Sequence, residues 1–467
     1  MGLRRCLLPG LLMLPAVLSL SCKTQTANLP PDTPELVSSG TIVLKGSAVS
    51  YSATATDPDG GAVSFRFSWG DGDTSDWSLW VASGDTAAET HAWADTGTFV
   101  TTAQARDEED ALSGWSQQCS VSVALTIPGR VRWRCALPGW TFAAPSVGPD
   151  GIIYVLDRYD GLTALSQSGS ILWTSREFEG ATGSPVVGPD SVLYLGGGFA
   201  AGHKGRLIWH VESIPDLDRM PALGADGTIH YGRAALNPDG TVQWEFAQPF
   251  RFTGLAIGSD GTVYFGAWMA DTMFLFALNP DGRVRWRYDV ESYSWFDSPA
   301  IGPEGNTYIA VEDVGLHAID QEGRLKWRFE VEYLDPNPVV VSGDGTVFCF
   351  NWSSDLLYAL EPGGTLKWRF ATKEGIAGAP VVAADGTVYV ADDGGAIHAL
   401  DRNGTRLWTC ETGSDIRTPL TLGPDGTVYF GDSDGYLVAV SGSSPPSKDG
   451  WPMLGHDPQH TGRAAGP

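Results

Sequence analysis

The apolar residues of this chain fall into short runs separated by turn residues, and from residue 129 onward the same order of runs recurs. In one unit the runs are Gly364–Phe370, Ala379–Val382, Asp385–Val390 and Ala396–Leu400. Runs this short predict strands rather than helices, and Asp-Gly or Asn-Gly pairs between them supply the positive φ that tight hairpins need. Each unit is therefore predicted to be a sheet of four antiparallel strands.

A tryptophan marks each unit. The phrase Gly-x-(Val/Ile/Leu)-x-Trp recurs eight times, the last copy being Gly-Thr-Arg-Leu-Trp, at steps of 35 to 42 residues. A β-rich repeat with this period is typical of a propeller, in which each four-stranded unit is one blade. We expect the indoles to pack between neighbouring blades. They are Trp133, Trp173, Trp209, Trp244, Trp286, Trp327, Trp368 and Trp408.

The turn that opens the third run of each unit, usually Asp-Gly, gives the same number of units, eight. It recurs at Asp150, Asp190, Asp226, Asp260, Glu304, Asp344, Asp385 and Asp425.

The two ends of the repeat region predict how a ring would close. The last unit ends after Leu437–Val440 without its own tryptophan strand, whereas Gly129–Trp133 precedes every other strand of a unit. We expect Gly129–Trp133 to complete the eighth blade, because closure removes free sheet edges. Residues 196–205 lack the usual Leu-x-Ala-Leu strand and residues 226–244 are compressed, so an irregular blade is expected there.

Residues 34–124 follow a different pattern. Val49–Thr56 alternates with period two and ends in an Asp-Pro-Asp-Gly-Gly turn, and Val63–Trp69 ends in Gly-Asp-Gly-Asp. With the pairs His91/Trp93 and Gly97/Phe99, these features resemble a PKD domain, an immunoglobulin-like β-sandwich. The aspartates of the two turns fit two roles, as Ca²⁺ ligands or as turn formers, and turn formation is the simpler. They are Asp57, Asp59, Asp71 and Asp73.

The repeats resemble the PQQ-like propeller family, whose Gly-x-Leu-x-Trp, Pro-x-x-Gly-x-Asp-Gly-x-x-Tyr and Leu-x-Ala-Leu phrases they carry. The segment Trp451–Gly462 also resembles a terminal motif of that family. The resemblance implies an all-β chain, with the immunoglobulin-like (PKD) sandwich followed by an eight-bladed β-propeller. The predicted bounds are a signal peptide at 1–21, a tether at 22–33, the sandwich at 34–124, the propeller at 129–442 and a tail at 443–467.

The first residues predict export. Arg4 and Arg5 precede the apolar stretch Leu7–Leu20, which is too short to span a bilayer. Cys22 follows in a context that resembles a bacterial lipobox, so we expect lipidation at Cys22, with plain secretion as the alternative. The expected location is the cell envelope, as an outer-membrane or cell-surface lipoprotein held to the membrane by its lipid.

The charge excludes one class of partner, and the cysteines leave the disulfide pairing open. The formal charge of −25 repels phosphate backbones, so nucleic acid is not an expected partner. Four cysteines follow Cys22, none of them adjacent to another, and they allow three pairings among which the sequence does not choose. They are Cys119, Cys135, Cys349 and Cys410.

The sequence offers little for catalysis. The active quinoproteins of the resembled family hold PQQ with Ca²⁺ and an adjacent Cys–Cys disulfide, and no adjacent pair occurs here. Four strands with tight turns use nearly all of a 40-residue unit, which leaves no long loop to roof a cofactor pocket. His456 and His460 have helical zinc spacing, but Pro458 lies between them. We expect no cofactor and no metal.

The remaining candidate is a binding face. In a propeller the links from each outer strand to the next inner strand share one face, and here those links mix aromatic residues with arginines, as interface hot spots do. The leading hypothesis is a monomeric, non-catalytic binding or scaffold protein of the envelope, with a protein or polysaccharide partner. The alternative is a PQQ-dependent dehydrogenase or another exported enzyme. The predicted contact residues are Trp140, Phe178, Arg219, Phe250, Arg251, Tyr293, Trp295, Asp297, Tyr333, Asp335 and Arg417.

Overall fold

The computed structural model of the chain describes residues 28–38, 42–124, 127–157, 161–212, 217, 219–246, 251–269, 272–290, 296–331, 334, 338–351 and 355–464. Contacts divide the chain into two compact units, Met1–Thr126 and Ile127–Pro467. The described residues form strands and turns without a helix, so they include none long and apolar enough to cross a membrane. The signal peptide and Cys22 lie outside the described residues.

The first unit consists of two sheets that enclose one apolar core. One sheet has the strand order β1-β3-β5 and the other β2-β7-β6-β4, with β2 and β7 parallel. Tyr51 and Trp93 are buried between them. The strands are β1 (Glu35–Ser38), β2 (Ile42–Leu44), β3 (Val49–Thr54), β4 (Ser64–Ser68), β5 (Thr86–His91), β6 (Gly97–Arg106) and β7 (Cys119–Ala124).

The aspartate turns of this unit are shaped by their own carboxylates. Oδ1 of Asp57 accepts a hydrogen bond from the amide of Asp59 at 2.9 Å, and Oδ1 of Asp71 accepts one from the amide of Asp73 at 3.1 Å. Burial acts to raise the pKa of Asp71, but the hydrogen bond and charge of His91, 2.7 Å away, lower it overall. These contacts give the aspartates a structural role in the turns.

Two Ser-x-Trp-Ser segments, residues 75–78 and 113–116, flank the β4–β6 pair. The hydroxyls of Ser75 and Ser78 accept amide hydrogen bonds from β4, and those of Ser113 and Ser116 accept them from β6, all at 2.9 Å. The serines therefore take the place of a partner strand at both edges.

The tryptophans of these two segments enclose one arginine. The guanidinium of Arg66 lies 4.9 Å from the ring centre of Trp77 and 5.3 Å from that of Trp115. Gln104 accepts two of its hydrogen bonds, at 2.7 and 3.1 Å, which fixes the plane of the guanidinium between the indoles.

The described residues of the second unit form a series of eight four-stranded sheets, all antiparallel. In several places the first strands of neighbouring sheets contact one another, so the first strands lie innermost and the fourth strands outermost.

The strands of the first four sheets are β9 (Ser146–Val147), β10 (Ile153–Leu156), β11 (Leu162–Leu165), β12 (Ile171–Ser175), β13 (Thr182–Val187), β14 (Leu193–Gly196), β15 (Phe199–Ala201), β16 (Leu207–His210), β17 (Ala222–Leu223), β18 (Ile229–Tyr231), β19 (Ala234–Leu236), β20 (Val242–Glu245), β21 (Arg251–Ile257), β22 (Val263–Met269), β23 (Thr272–Leu278) and β24 (Val284–Val290).

The strands of the other four are β25 (Ala300–Ile301), β26 (Thr307–Val311), β27 (Gly315–Ile319), β28 (Leu325–Phe329), β29 (Val340–Val341), β30 (Val347–Asn351), β31 (Leu356–Leu360), β32 (Leu366–Ala371), β33 (Val381–Val382), β34 (Val388–Ala391), β35 (Ala396–Leu400), β36 (Arg406–Glu411), β37 (Thr421–Leu422), β38 (Thr427–Gly431), β39 (Tyr436–Ser441) and, from the start of the unit, β8 (Val131–Ala136).

The strand β8 joins the two ends of the unit. It pairs with β39 in the order β37-β38-β39-β8, with Trp133 opposite Ala439. The short repeats still form four-stranded sheets, although β15, β18 and β19 have three residues each. The predicted irregularity is therefore one of strand length.

Each repeat tryptophan packs on the repeat glycine of the next sheet. A Cβ on Gly364, which has φ +85°, would lie 2.6 Å from Trp327, and the same relation holds for the other seven pairs, including Gly129 and Trp408. In six repeats the indole nitrogen also donates to a backbone carbonyl of that next turn, as Trp327 does to Pro362 at 3.0 Å. The phrase is thus the joint between successive sheets.

The recurrent aspartate shapes the turn between the first and second strands. In seven sheets its Oδ1 accepts a hydrogen bond from the amide two residues later, at 2.9 to 3.2 Å, as Asp344 does from Thr346. Where Glu304 replaces it, Asn306 donates to the glutamate at 3.1 Å.

The four cysteines from Cys119 to Cys410 are all free thiols.

Candidate functional site

The structure describes five of the eleven predicted contact residues with their side chains. Trp140, Arg219 and Arg417 are exposed, Asp297 is half-buried and Phe178 is buried. Phe250, Tyr293, Trp295, Tyr333 and Asp335 lie outside the described residues, as does the side chain of Arg251.

The prediction for Phe178 is wrong. Its side chain has no exposed surface and meets Phe199 edge to face, with ring centres 6.1 Å apart. It packs with Leu156 and Leu195, in the core between the first two sheets. The chain turns inward after β12, so this aromatic residue fills the wedge between the sheets instead of facing a partner.

Asp297 and Arg219 interact although they belong to different repeats. Burial raises the pKa of Asp297, and the positive charge of Arg219 and the hydrogen bond from Ser298, at 3.3 Å, offset this only in part. The charge of Arg219 therefore acts on Asp297 at the face that carries the links from outer to inner strands, which we call the link face.

Trp140, in the loop after β8, and Arg417, in the loop after β36, lie on two of three loops that contact one another, the third being the loop after β38. The amide of Leu137 donates to the carbonyl of Gly435 at 2.9 Å, and Trp140 lies against Gly435. Ile416 forms a bridge with Asp432, so the loop after β36 is paired with the loop after β38. We name this region the Trp140 surface, comprising Trp140, Phe142, Asp415, Arg417 and Asp434.

The aromatic residues of the Trp140 surface are open to solvent. Trp140 is 57% exposed and Phe142, two residues later, is 52% exposed. Large aromatic side chains this exposed and this close in sequence are typical of binding sites.

The arginines near these aromatic residues are paired within the chain. Arg134 is 2.6 Å from Asp432, which is buried, and its guanidinium lies 4.8 Å from the ring centre of Tyr436. Arg417 is 2.8 Å from Asp415. Asp434 extends outward with 61% of its side chain exposed. The surface therefore combines apolar rings with an outward-facing carboxylate.

The tail, residues 443–464, runs along the inner strands. In each of six inner strands, the amide of the last residue donates a hydrogen bond to a tail carbonyl. The tail therefore covers the ends of these strands that lie away from the link face. The bonds are Val147 to Pro458, Val187 to Gln459, Leu223 to Thr461, Ile257 to Gly462, Val341 to Trp451 and Val382 to Pro452, at 2.7 to 2.9 Å.

The tail histidines do not converge on one point. His460 is fully buried between the hydroxyls of Ser146 and Thr421, each 3.3 Å from a ring nitrogen. His456 meets Trp451 edge to face at 5.1 Å. Both have positive φ, 56° and 74°. The tail is thus held by strained, buried residues along the inner ends of the sheets.

The protonation of the tail follows from its burial. Burial lowers the pKa of His460 to about 4, although the charge of Asp457 acts in the opposite direction. Burial acts to raise the pKa of Asp457, but the imidazole of His456, with Nδ1 3.5 Å from a carboxylate oxygen, and the hydrogen bonds from Thr461 lower it overall. The folded tail therefore favours neutral His460 and ionised Asp457 at neutral pH.

Sequence reasoning missed a polar cleft of about 490 Å³ at the link face. His398 lies there between Asp392, 3.0 Å from Nε2, and Thr409, 3.1 Å from Nδ1. Asp392 also accepts the amide of Ala396 at 2.8 Å, as turn-forming aspartates do. Among the described residues, no three His, Cys, Asp or Glu side chains are grouped to hold a metal ion.

The succession of four-stranded antiparallel sheets, with their first strands innermost, defines the second unit as a β-propeller. Solved β-propeller structures share this fold, among them BamB and a WD40 domain. BamB from Moraxella catarrhalis is 19% identical over 67% of this chain and 97% of its own, with a TM-score of 0.54. The C-terminal WD40 domain of Sif2 is 12% identical over 68% of this chain and 100% of its own, with a TM-score of 0.50.

The family follows from the sequence match. The family model described as outer membrane protein assembly factor BamB matches residues 49–213, 225–347 and 312–444, so the chain belongs to that family. The first unit is similar to the PKD domain of an M14-like peptidase from a Thermoplasmatales archaeon, at 33% identity over 21% of this chain and 98% of that one, with a TM-score of 0.20. No curated protein matches the chain.

Proposed function

We propose that this protein is a non-catalytic scaffold of the bacterial cell envelope that binds a protein partner through the Trp140 surface. The observation that carries the proposal is the exposure of Trp140 and Phe142, because the repeat tryptophans are used in joints between sheets. Exposed aromatic residues beside an arginine are the usual composition of an interface hot spot.

Membership of a family described as outer membrane protein assembly factors supports both the location and the class of partner. The same family likeness supports export and a lipid anchor at Cys22. The first unit is proposed to be a PKD-like, immunoglobulin-like sandwich, on the strength of its turn motifs and its two sheets.

The second unit is proposed to be a single closed ring of eight blades. Support comes from the β8–β39 pairing and from Gly129, which meets Trp408 as each other repeat glycine meets the preceding tryptophan. The tail supports the non-catalytic part of the proposal. It places Trp451, Met453 and His460, all buried, along the inner strands, where a cofactor pocket on the axis would need room.

Sedimentation of native complexes tests the proposal. Full-length protein is extracted from the envelope of the organism that encodes it with mild detergent and sedimented through a gradient. We expect the wild type, a 49.8 kDa chain, to sediment in a larger assembly. The double variant Trp140→Ala, Phe142→Ala should sediment alone, since alanine at hot-spot positions costs about 2 kcal/mol or more each.

The matched control is Ile208→Ala, which removes a side chain of similar exposure, 53%, from the outer strand β16. It should stay in the assembly. A wild-type protein that sediments alone, or a double variant that remains in the assembly, would contradict the proposal.

A further inference from the structure

We infer that the partner presents a cationic segment to the Trp140 surface, with a lysine or arginine set against Trp140 and Asp434. The inference rests on the proposed function and names the chemistry of the partner at that site. It follows from three features of the surface: its local charge, the engagement of its own arginines and the exposure of its rings.

The local charge is negative. The segments 134–142, 411–418 and 431–436 form the surface and the loops under it, and they hold four carboxylates against two guanidiniums. The carboxylates belong to Glu411, Asp415, Asp432 and Asp434, and the guanidiniums to Arg134 and Arg417.

Both guanidiniums are engaged within the chain. Asp432 and the ring of Tyr436 hold Arg134, and the hydroxyl of Ser414 accepts from it at 3.3 Å. Arg417 is paired with Asp415 at 2.8 Å. Asp434 lies 3.9 Å from Arg134, accepts a hydrogen bond from Ser414 and is still 61% exposed. The carboxylate that faces solvent is therefore left for a cation from outside.

The exposed rings add to the attraction for a cation. A lysine or arginine placed over an indole gains about 0.5 to 2 kcal/mol from the ring quadrupole, and Trp gives the strongest such contact. Charge complementarity of this kind suppresses like-charged partners and speeds association. The net charge of the chain, −25, acts in the same direction at longer range.

Site-specific photocrosslinking tests the inference. Phe142, which is 52% exposed, is replaced by p-benzoylphenylalanine in the full chain so that Trp140 and Asp434 stay native, the protein is produced in its own organism, and the adducts formed on irradiation are identified by mass spectrometry. We expect a protein adduct whose crosslinked peptide contains lysine or arginine. The change Asp434→Lys should lower the adduct yield about tenfold, and Asp434→Asn should lower it less.

The charge control is Glu322→Lys, which makes the same change in net charge at a side chain 64% exposed on a turn between outer strands. The adduct yield of the Glu322→Lys variant should match that of the crosslinking protein that carries no charge change. Thermal unfolding of each variant shows whether the reversal alters folding, and the Asp434→Asn variant keeps the test valid if the lysine variant is unstable.

The outcomes separate the two claims. A protein adduct whose yield is unchanged by Asp434→Lys, or whose crosslinked peptide lacks lysine and arginine, overturns the inference and leaves the proposed function standing. A glycan adduct, or no protein adduct at position 142, overturns the proposed function and the inference with it.

Discussion

At the scale of single residues, the joints between sheets depend on glycine as well as on tryptophan. The repeat glycines combine a positive φ with contact against an indole, so a side chain there meets two costs at once. The sequence predicted the packing role of the tryptophans from their spacing. It did not predict that each lies on the glycine of the next unit, because a repeat shows the period and not the neighbour.

The change Gly364→Ala tests this joint. Alanine at φ +85° is strained by about 1 to 2 kcal/mol, and its Cβ would lie 2.6 Å from Trp327. We expect the second unit to lose about 2 kcal/mol or more of stability, measured by calorimetric unfolding. The adjacent change Gly363→Ala meets no atom within 4 Å and should shift stability by less than about 0.5 kcal/mol. Equal effects would show that the contact with Trp327 is unimportant.

The enclosed arginine of the first unit gives a second prediction. Arg66→Met removes the cation from between Trp77 and Trp115 while it keeps much of the side-chain volume. The expected loss in unfolding free energy is about 1 to 2 kcal/mol, and the fluorescence of the two indoles should change. Arg283→Met, at a side chain 85% exposed, is the control and should be neutral. A stable Arg66→Met variant would mean that the indoles pack equally well without the charge.

At the scale of elements, strands were predictable and the path of the tail was not. Asp-Gly turns and short apolar runs predict strands because local chemistry fixes both. The tail has no such period, and its course depends on hydrogen bonds from the amides of six strands that are distant from it in sequence. Phe178 is an example within a loop, because its burial depends on contacts with the neighbouring sheet and not on a local pattern. The role of the Ser-x-Trp-Ser segments is a further example, because serine hydroxyls there accept hydrogen bonds in place of a strand, and no apolar pattern indicates this.

The tail predicts a pH dependence. The pKa of His460 falls from an ordinary 6.5 to about 4 on folding, so the unfolded chain binds more protons between those values. The contribution of neutral His460 to the free energy of unfolding is therefore fully present above about pH 6.5 and is lost as the pH falls toward 4. The loss from this group is about 2 kcal/mol at pH 5. The lowered pKa of Asp457 acts in the same direction at still lower pH.

Hydrogen exchange of residues 446–464 between pH 7 and pH 5 measures this effect. Other buried histidines, His230 and His317, also have pKa values lowered by burial to about 4, so the wild type should lose stability more broadly. His460→Gln should weaken the pH dependence of the tail, whereas His203→Gln, at an exposed position, should leave it unchanged. Identical profiles for His460→Gln and the wild type would contradict the assignment.

At the scale of the whole molecule, family membership and the propeller fold agree with the repeat period, and ring closure stays a prediction that can be tested chemically. Ala136 and Tyr436 are opposite residues of β8 and β39. Opposed Cβ atoms in antiparallel strands lie about 5 Å apart, within reach of a disulfide after small shifts. An open array of sheets would separate the same residues widely.

Cysteines at positions 136 and 436, with the native cysteines replaced by alanine, should therefore form an intramolecular disulfide under mild oxidation. The control pair places the second cysteine at Ala371, at the end of the outer strand β32 of another sheet, and should remain reduced. Peptide mapping of the oxidised chain distinguishes the two results. Failure of the 136–436 pair to oxidise would contradict closure through β8.

Crosslinking mass spectrometry of the unmodified protein in its native envelope tests the central claim, partner binding through the link face, most directly. Lys373 lies in a link after an outer strand, on the face of the Trp140 surface, whereas Lys204 lies on a turn between outer strands, and both are exposed. We predict that amine-reactive links to other proteins concentrate at Lys373 and are rare at Lys204. Equal links at the two lysines, or links mainly at Lys204, would contradict the account.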